Sequence, residues 1–279
     1  MISIMNDLQK TEFQLLELFV NICNKENLHY FLVCGSALGA VKYNGFIPWD
    51  DDIDVALPRK DYEIFLTEAP KYLPEWCYLQ NYRTDREFHL LGSKLRDSRT
   101  TYIERMTESL NINHGVFIDV FPLDGLYTDK TLFEKQKKEF EAARRVRLKY
   151  NRFSRENVFD FKNNFYRMMY LLFSCYRDTS VYIERFDHLL ATYNSVTSGY
   201  LCNYANSVSE TEYAAAEQYG QGREATFEGL SVRIPEDYDA YLTQKYGDWR
   251  ADLPESEKKG HHYYTVCDLN RPYIDYINK

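Results

Sequence analysis

The chain has 279 residues, 44% hydrophobic and 27% charged, which suits a folded globular protein and excludes wholesale disorder. A net charge of -8 excludes general nucleic-acid binding, because phosphate backbones need compensating Lys and Arg. Six cysteines, at 23, 34, 77, 175, 202 and 267, make no CxxC pair and no zinc spacing, and no export signal opens the chain; a cytoplasmic protein with reduced thiols is the expectation.

Residues from about Asp7 to Asn27 place Leu8, Leu15, Leu16, Leu18, Phe19 and Ile22 at a helical period. The compact apolar run HYFLVCG reads as a buried strand, and SALGAVKYN as a short helix capped by Ser36 and closed near Asn44-Gly45. After the loop at Pro48, IDVALP reads as a strand and RKDYEIFLTEAPKYL as a helix. Further strands are expected at WCYLQNY, FHLLGSKLRD, TTYIER and GVFIDVFPL. From Asp129 the pattern turns helical, through LFEKQKKEFEAARRVRLKYN, ENVFDFKNNFYRMMYLLFSCY and SVYIERFDHLLATYN. ATFEGLSVRIP then reads as a hairpin and EDYDAYLTQKYGDW as a helix with a Gly stop. The expectation is a core over residues 1–125 and a mainly helical lobe over 126–279, folded together because no Pro/Gly/Ser-rich linker divides them. The longest apolar run, MMYLLF, is far too short to span a bilayer.

Two pieces carry chemistry. At Gly35-Ser36 a strand turns into a helix, where Gly permits close approach of an anion and the helix start offers donors to phosphate; an ordinary turn would look the same. At Asp50-Asp51-Asp52-Ile53-Asp54 an acidic block runs directly into an apolar strand, so Asp52 and Asp54 share one face. Carboxylates that close repel unless a cation neutralises them, and Mg2+ prefers hard carboxylate oxygens shared with substrate phosphates. A solvated acidic patch is the plainer alternative.

GSALGAVKYNGFIPWDDDIDV, KLRDSRTTY, GVFIDVFPLDG and RIPEDYDAYLTQKYGDW together resemble the LicD/fukutin family, whose members are similar to nucleotidyltransferases in fold. Fifteen residues, Ala37 to Asp51, lie between Ser36 and Asp52, slightly more than in many of that superfamily. The resemblance implies an α/β (α+β) fold: a nucleotidyltransferase-like mixed sheet flanked by helices, with a mainly helical C-terminal lobe. It implies a Mg2+-dependent transferase, with Mn2+ as the alternative metal. This enzyme would move phosphocholine from CDP-choline to a hydroxyl of a cell-surface glycan precursor, of teichoic acid, lipopolysaccharide or capsule type, and release CMP. Fukutin-like relatives imply a CDP-polyol alternative, with ribitol phosphate or glycerol phosphate as cargo. A nucleotidyltransferase acting on a small molecule and a non-catalytic binding module stand further off. Carried over residue by residue, Gly35 and Ser36 would cradle the nucleotide phosphates. Asp52 and Asp54 would ligate the metal, and Asp119 would be the third carboxylate, although a structural Asp at a strand end would look alike. Asp119 or Asp54 would take the acceptor's proton.

Secondary candidates follow. Lys94 and Arg96 alternate along one strand and share a face, as phosphate grips or as partners of a surface salt bridge. His261 and His262 would point apart on a strand and make a poor pair for one metal, so one of them, His261 by preference, is a candidate phosphate or acceptor contact. Choline is a quaternary ammonium that aromatic faces hold, so Trp49 beside Asp50 and Asp51 is a choline-binding candidate, against core packing as the plainer role. The 25 tyrosines fit such a damp cleft, and equally fit a base-composition bias. A basic run of Lys135, Lys137, Lys138, Arg144, Arg145, Arg147, Lys149, Arg152 and Arg155, followed by FYRMMYLLF, suggests a peripheral contact with anionic membrane and a lipid-linked acceptor; a solvated helix is the bland reading.

Overall fold

The computed structural model describes residues 5–88, 90–108, 110–151, 179–195, 199–204, 211–260 and 263–277. Its centre is a mixed sheet in the order β1 (Phe31–Leu32), β2 (Asp54–Pro58), β6 (Val116–Leu126), β4 (Ser93–Asp97), β3 (Cys77–Gln80). Only β2 and β6 run parallel; the other pairs are antiparallel. Helix α1 (Asp7–Lys25) packs on β6 and β4, and α3 (Arg59–Glu68) packs on β2 and β6, so this is the α+β architecture expected from the sequence. Strand β5 (Thr101–Glu104) pairs separately with β11 (Tyr264–Asp268).

The eleven residues of β6 carry the sheet from one half of the chain to the other. Its first half pairs with β2 and β4; Asp124–Leu126, at its far end, pairs with β7 (Tyr200–Cys202), which pairs in turn with β8 (Tyr213–Ala215). Helices α4 (Lys130–Asn151) and α5 (Thr179–Thr192) pack together beside this end, around Leu126, Phe140, Ile183, Phe186 and Leu190. The main core mixes early and late residues: Phe19, Leu32, Val55 and Ile118 share it with Phe227, Val232 and Leu242. ENVFDFKNNFYRMMYLLFSCY and most of the basic run after Lys138 lie outside the described side chains. Among the described residues no helix is long and apolar enough to cross a membrane, and Cys23, Cys34, Cys77, Cys202 and Cys267 are free thiols.

The element that follows β1 departs from expectation. Helix α2 (Cys34–Tyr43) starts two residues before Ser36, and Val33 occupies the cap position without a side-chain bond. Ser36 serves another purpose, described below. The hairpin of β9 (Arg223–Phe227) and β10 (Leu230–Ile234) forms where ATFEGLSVRIP predicts it. Its turn, Glu228-Gly229 at φ +49° and +87°, docks on the loop after α2: Glu228 N–H donates to Asn44 O at 2.9 Å, and Phe46 N–H donates to Glu228 Oε1 at 3.1 Å. This loop leads straight to Trp49 and the acidic block, so a late hairpin holds an early site segment.

Gly39 is where α2 and that loop touch. A Cβ there would lie 2.4 Å from Gly45 O and 3.3 Å from Ile47 N, both backbone atoms that cannot swing aside. Gly39→Ala is therefore expected to cost about 1–3 kcal/mol, as overpacking does. A denaturant midpoint lowered at unchanged slope would confirm it, and an unchanged midpoint would mean that the loop stands further off.

Candidate active site

The site begins at the end of β1. Cys34 turns the chain with φ +53°, a left-handed conformation disfavoured for residues with a side chain, and its N–H donates to Tyr241 Oη at 3.1 Å. Burial, with Asp54 beside it, pushes the Cys34 thiol well above its ordinary value, so it stays protonated. Two residues on, the buried Ser36 Oγ accepts the backbone N–H of Asp54 at 2.8 Å. Val33 N–H donates to Asp54 O at 3.0 Å, and Gln9 Nε2, from the start of α1, donates to Asp50 O at 3.0 Å. Three separate elements thus fix the backbone of the acidic block.

Above this floor lies a cleft of about 290 Å³. One wall carries Gly35, Tyr43, Trp49, Asp50, Asp52 and Asp54; the other carries Tyr246, Asp248 and Trp249. The second wall comes from the end of helix α7 (Tyr238–Tyr246), which follows the short α6 (Ala216–Tyr219), packs on α2 and stops at Gly247, φ +70°. The YGDW segment therefore turns at its glycine and presents residues on both sides of it to the cleft. Gly35 is needed for closeness: a Cβ there would lie 2.8 Å from Asp50 Oδ2.

The acids gather in two groups. Asp50, Asp51 and Asp52 can bring carboxylate oxygens within 4.8 Å of one another, a set with the spacing of cation ligands. Asp54 opens β2 and lies abreast of Asp119 on β6 in parallel register, with Lys94 on β4 next in the same row. Asp52 precedes β2 rather than lying within it, yet it lines the cleft with Asp54. Asp119 is outside the cleft lining. Lys94 Nζ approaches its carboxylate to 3.2 Å, sits 3.6 Å from Glu104, and lies 3.2 Å from the Phe117 ring centroid.

Several expected contacts take other roles. Lys94 is 3% exposed and its ammonium serves Asp119 and Glu104, away from the cleft. Arg96 is fully buried: its guanidinium donates to Gly115 O at 2.7 Å, pairs with Glu104 at 3.3 Å and bonds Gln80, so it braces the sheet and is not a phosphate fork. Burial lowers its pKa below the ordinary arginine value, against the pull of Glu104 and Asp119. Lys94 and Arg96 do share a face, both over Phe117. The Ser36 hydroxyl is directed at Asp54, so its effect on a phosphate runs through the strand it fixes. Asp51 does not line the cleft and lies against Gly260, whose added Cβ would be 2.5 Å from Asp51 Oδ2. His261 and His262 lie outside the described residues. Cleft residues that the sequence did not single out include Tyr43, Tyr246, Asp248 and Trp249; the signal for the last three was YGDW, read as a helix stop and as part of the family resemblance.

Comparison with known proteins gives the following similarities. The LicD/FKTN/FKRP nucleotidyltransferase domain matches residues 27–163. The lipopolysaccharide cholinephosphotransferase LicD of Haemophilus influenzae is 26% identical over 267 residues, covering 89% of this chain and 92% of that protein. Uncharacterized proteins of Rickettsia prowazekii and Rickettsia typhi are each 33% identical over shorter stretches, 25% and 22% of this chain and 26% and 19% of their own. The matched domain takes in the Gly35 turn, the acidic block and β6 with Asp119, and over most of its length the chain is similar to the LicD cholinephosphotransferase.

Proposed function

We propose that the protein transfers phosphocholine from CDP-choline to a hydroxyl of a lipopolysaccharide-type glycan precursor and releases CMP. The observation that carries this reading is the similarity to the Haemophilus cholinephosphotransferase across 92% of that protein's length. The cleft supports it chemically. Asp50, Asp51 and Asp52 come within 4.8 Å of one another, and Asp52 and Asp54 open onto the cleft, a donor set of hard oxygens that fits Mg2+ or Mn2+. Asp52 and Asp54 would hold the ion, with Asp119 as the third acid. When bound, the ion offsets charge on the donor's pyrophosphate and on the departing CMP.

The chain's own groups do the rest. Gly35 lets the donor phosphates approach the start of α2, and Ser36 aims Asp54 by holding its backbone. The acceptor oxygen attacks the distal phosphorus in line, its proton passes to a carboxylate oxygen of Asp119, and the phosphorus–oxygen bond to CMP breaks with its electron pair. Asp119 stands abreast of Asp54 but outside the cleft lining, so the acceptor arrives from the β4–β6 side while the donor fills the cleft. Lys94, at 3.2 Å, holds that carboxylate in place.

The test is release of CMP from CDP-choline, CDP-ribitol and CDP-glycerol, each with Mg2+ and with EDTA. CMP from CDP-choline that disappears with EDTA is the expected result. CMP from a CDP-polyol alone, or pyrophosphate from a nucleoside triphosphate, would replace this reading with another.

A further inference from the structure

We infer that Tyr43, Trp49, Tyr246 and Asp248 form a cage for the donor's quaternary ammonium, between the two walls of the cleft. The inference rests on the phosphocholine reading above and names the residues that would select choline over a polyol.

Charge comes first. Among the described residues, the carboxylates of Asp50, Asp52, Asp54 and Asp248 and the ammonium of Lys42 line the cleft. Lys42 is already committed: its Nζ donates to Arg250 O at 3.1 Å and Ala251 O at 2.9 Å and pairs with Asp252 at 3.1 Å. Three of the four acids belong to the block that would hold a metal. Asp248 does not; it comes from the opposite wall, past the Gly247 turn. A second positive group therefore has a carboxylate of its own.

The aromatic lining narrows the choice of cation. Of its four rings, Trp249 is engaged elsewhere: it is 9% exposed, its indole N–H donates to Asp239 at 3.0 Å, and the Arg250 guanidinium lies 4.2 Å from its ring centroid. Tyr43 and Trp49 meet edge to face, with centroids 6.3 Å apart and planes at 78°, so they form a corner. Tyr246, 42% exposed, stands on the other wall. Trp49 also holds a cation within the protein itself, since Lys258, which is outside the cleft lining, places Nζ 5.3 Å from its ring centroid. A trimethylammonium has no N–H to donate, so ring faces and a nearby carboxylate are the contacts that hold it. A glycerol or ribitol group in the same place would set hydroxyls against rings that cannot satisfy them.

Equilibrium titration with CDP-choline and with CDP-glycerol, in Mg2+, tests this on the wild type and on Trp49→Leu, Tyr246→Leu and Tyr246→Phe. The wild type is expected to bind CDP-choline about tenfold more tightly than CDP-glycerol. Each Leu variant should lose that preference while its Kd for CDP-glycerol stays near the wild-type value, which also reports that the cleft is folded. Tyr246→Phe should keep the preference, because the ring face and not the hydroxyl makes the contact. Leu variants that keep the preference, or that weaken both donors alike, would overturn the cage. Equal wild-type affinities with CMP release confined to CDP-choline would overturn the cage and leave the phosphocholine reading standing. A wild type that prefers CDP-glycerol, or binds neither donor, would overturn that reading itself.

Discussion

Asp54→Ala is expected to lower CMP release from CDP-choline by about a thousandfold or more, and Asp52→Ala by a similar factor, in a protein that still folds. Both carboxylates line the cleft, so truncation removes two of the groups that would hold the ion. The start of β2 survives in Asp54→Ala because Ser36 holds the backbone N–H of that residue and not its side chain. Thermal unfolding separates loss of a ligand from loss of structure. Mg2+ at about a hundredfold over its Kd should raise the wild-type Tm by several degrees, and should leave both variants where they were. A variant that loses activity yet keeps the full Mg2+-dependent rise would move the metal elsewhere, with the Asp50–Asp51–Asp52 set as the next place to look. Asp119→Asn distinguishes proton transfer from ligation. Lost transfer with a retained Mg2+ effect supports the proton role; loss of both makes Asp119 a ligand; retained activity removes it from the chemistry.

That the acids could be found in the sequence has a physical reason. Charges that run into an apolar strand are costly without a partner, so WDDDID stands out locally, and no tertiary information is needed to see it. The same holds for the hairpin, whose Glu-Gly turn and alternating flanks are local signals, and for the stop at Gly247. Features that depend on distant packing were not legible. Strands β7 and β8 are three residues each, too short to show alternation, and exist because the end of β6 offers an edge. Arg96 alternates with Lys94 as a phosphate grip would, but every residue of β4 is buried, and nothing in a five-residue period says that both faces of a strand are covered. Ser36 has the identity of a helix cap, and only the approach of β2 decides that its oxygen receives Asp54 instead. Tyr246 and Asp248 become cleft residues through the packing of α7 on α2, some two hundred positions apart in the chain.

The second large effect is on stability. Arg59→Met is expected to cost about 3–5 kcal/mol, because it strands the buried Asp124 without its cation. Arg59 is 6% exposed at the first position of α3. Its Nε and one terminal nitrogen donate to the two oxygens of Asp124 at 2.8 and 2.6 Å; its other terminal nitrogen reaches Asp187 at 2.8 Å and Glu63 at 3.1 Å. Asn194 Nδ2 donates to Asp124 at 2.6 Å and Tyr82 Oη to Asp187 at 2.9 Å. Burial alone would weaken the charge on Arg59, but Asp124 and then Asp187 outweigh it and hold the guanidinium above its ordinary pKa. Removing the arginine leaves Asp124 buried without a cation, while Asp187 keeps Arg83 at 3.3 Å. Adding Asp124→Leu to Arg59→Met should recover part of the loss, since a buried pair replaced by apolar groups costs less than one left half-made. Urea midpoints of the two single variants and the double variant give the coupling directly, and an Arg59→Met cost below about 1 kcal/mol would mean the pair is solvated. The consequence reaches the site, because Asp124 and Asp119 lie on one strand, and Arg59 ties that strand to α3 on one side and α5 on the other. On the proposed mechanism, a variant that retains its fold but loosens this tie should therefore lose transfer before it loses donor binding, since the cleft that would take the donor is built from α2, β2 and α7, while the acceptor's proton would pass to Asp119 on β6.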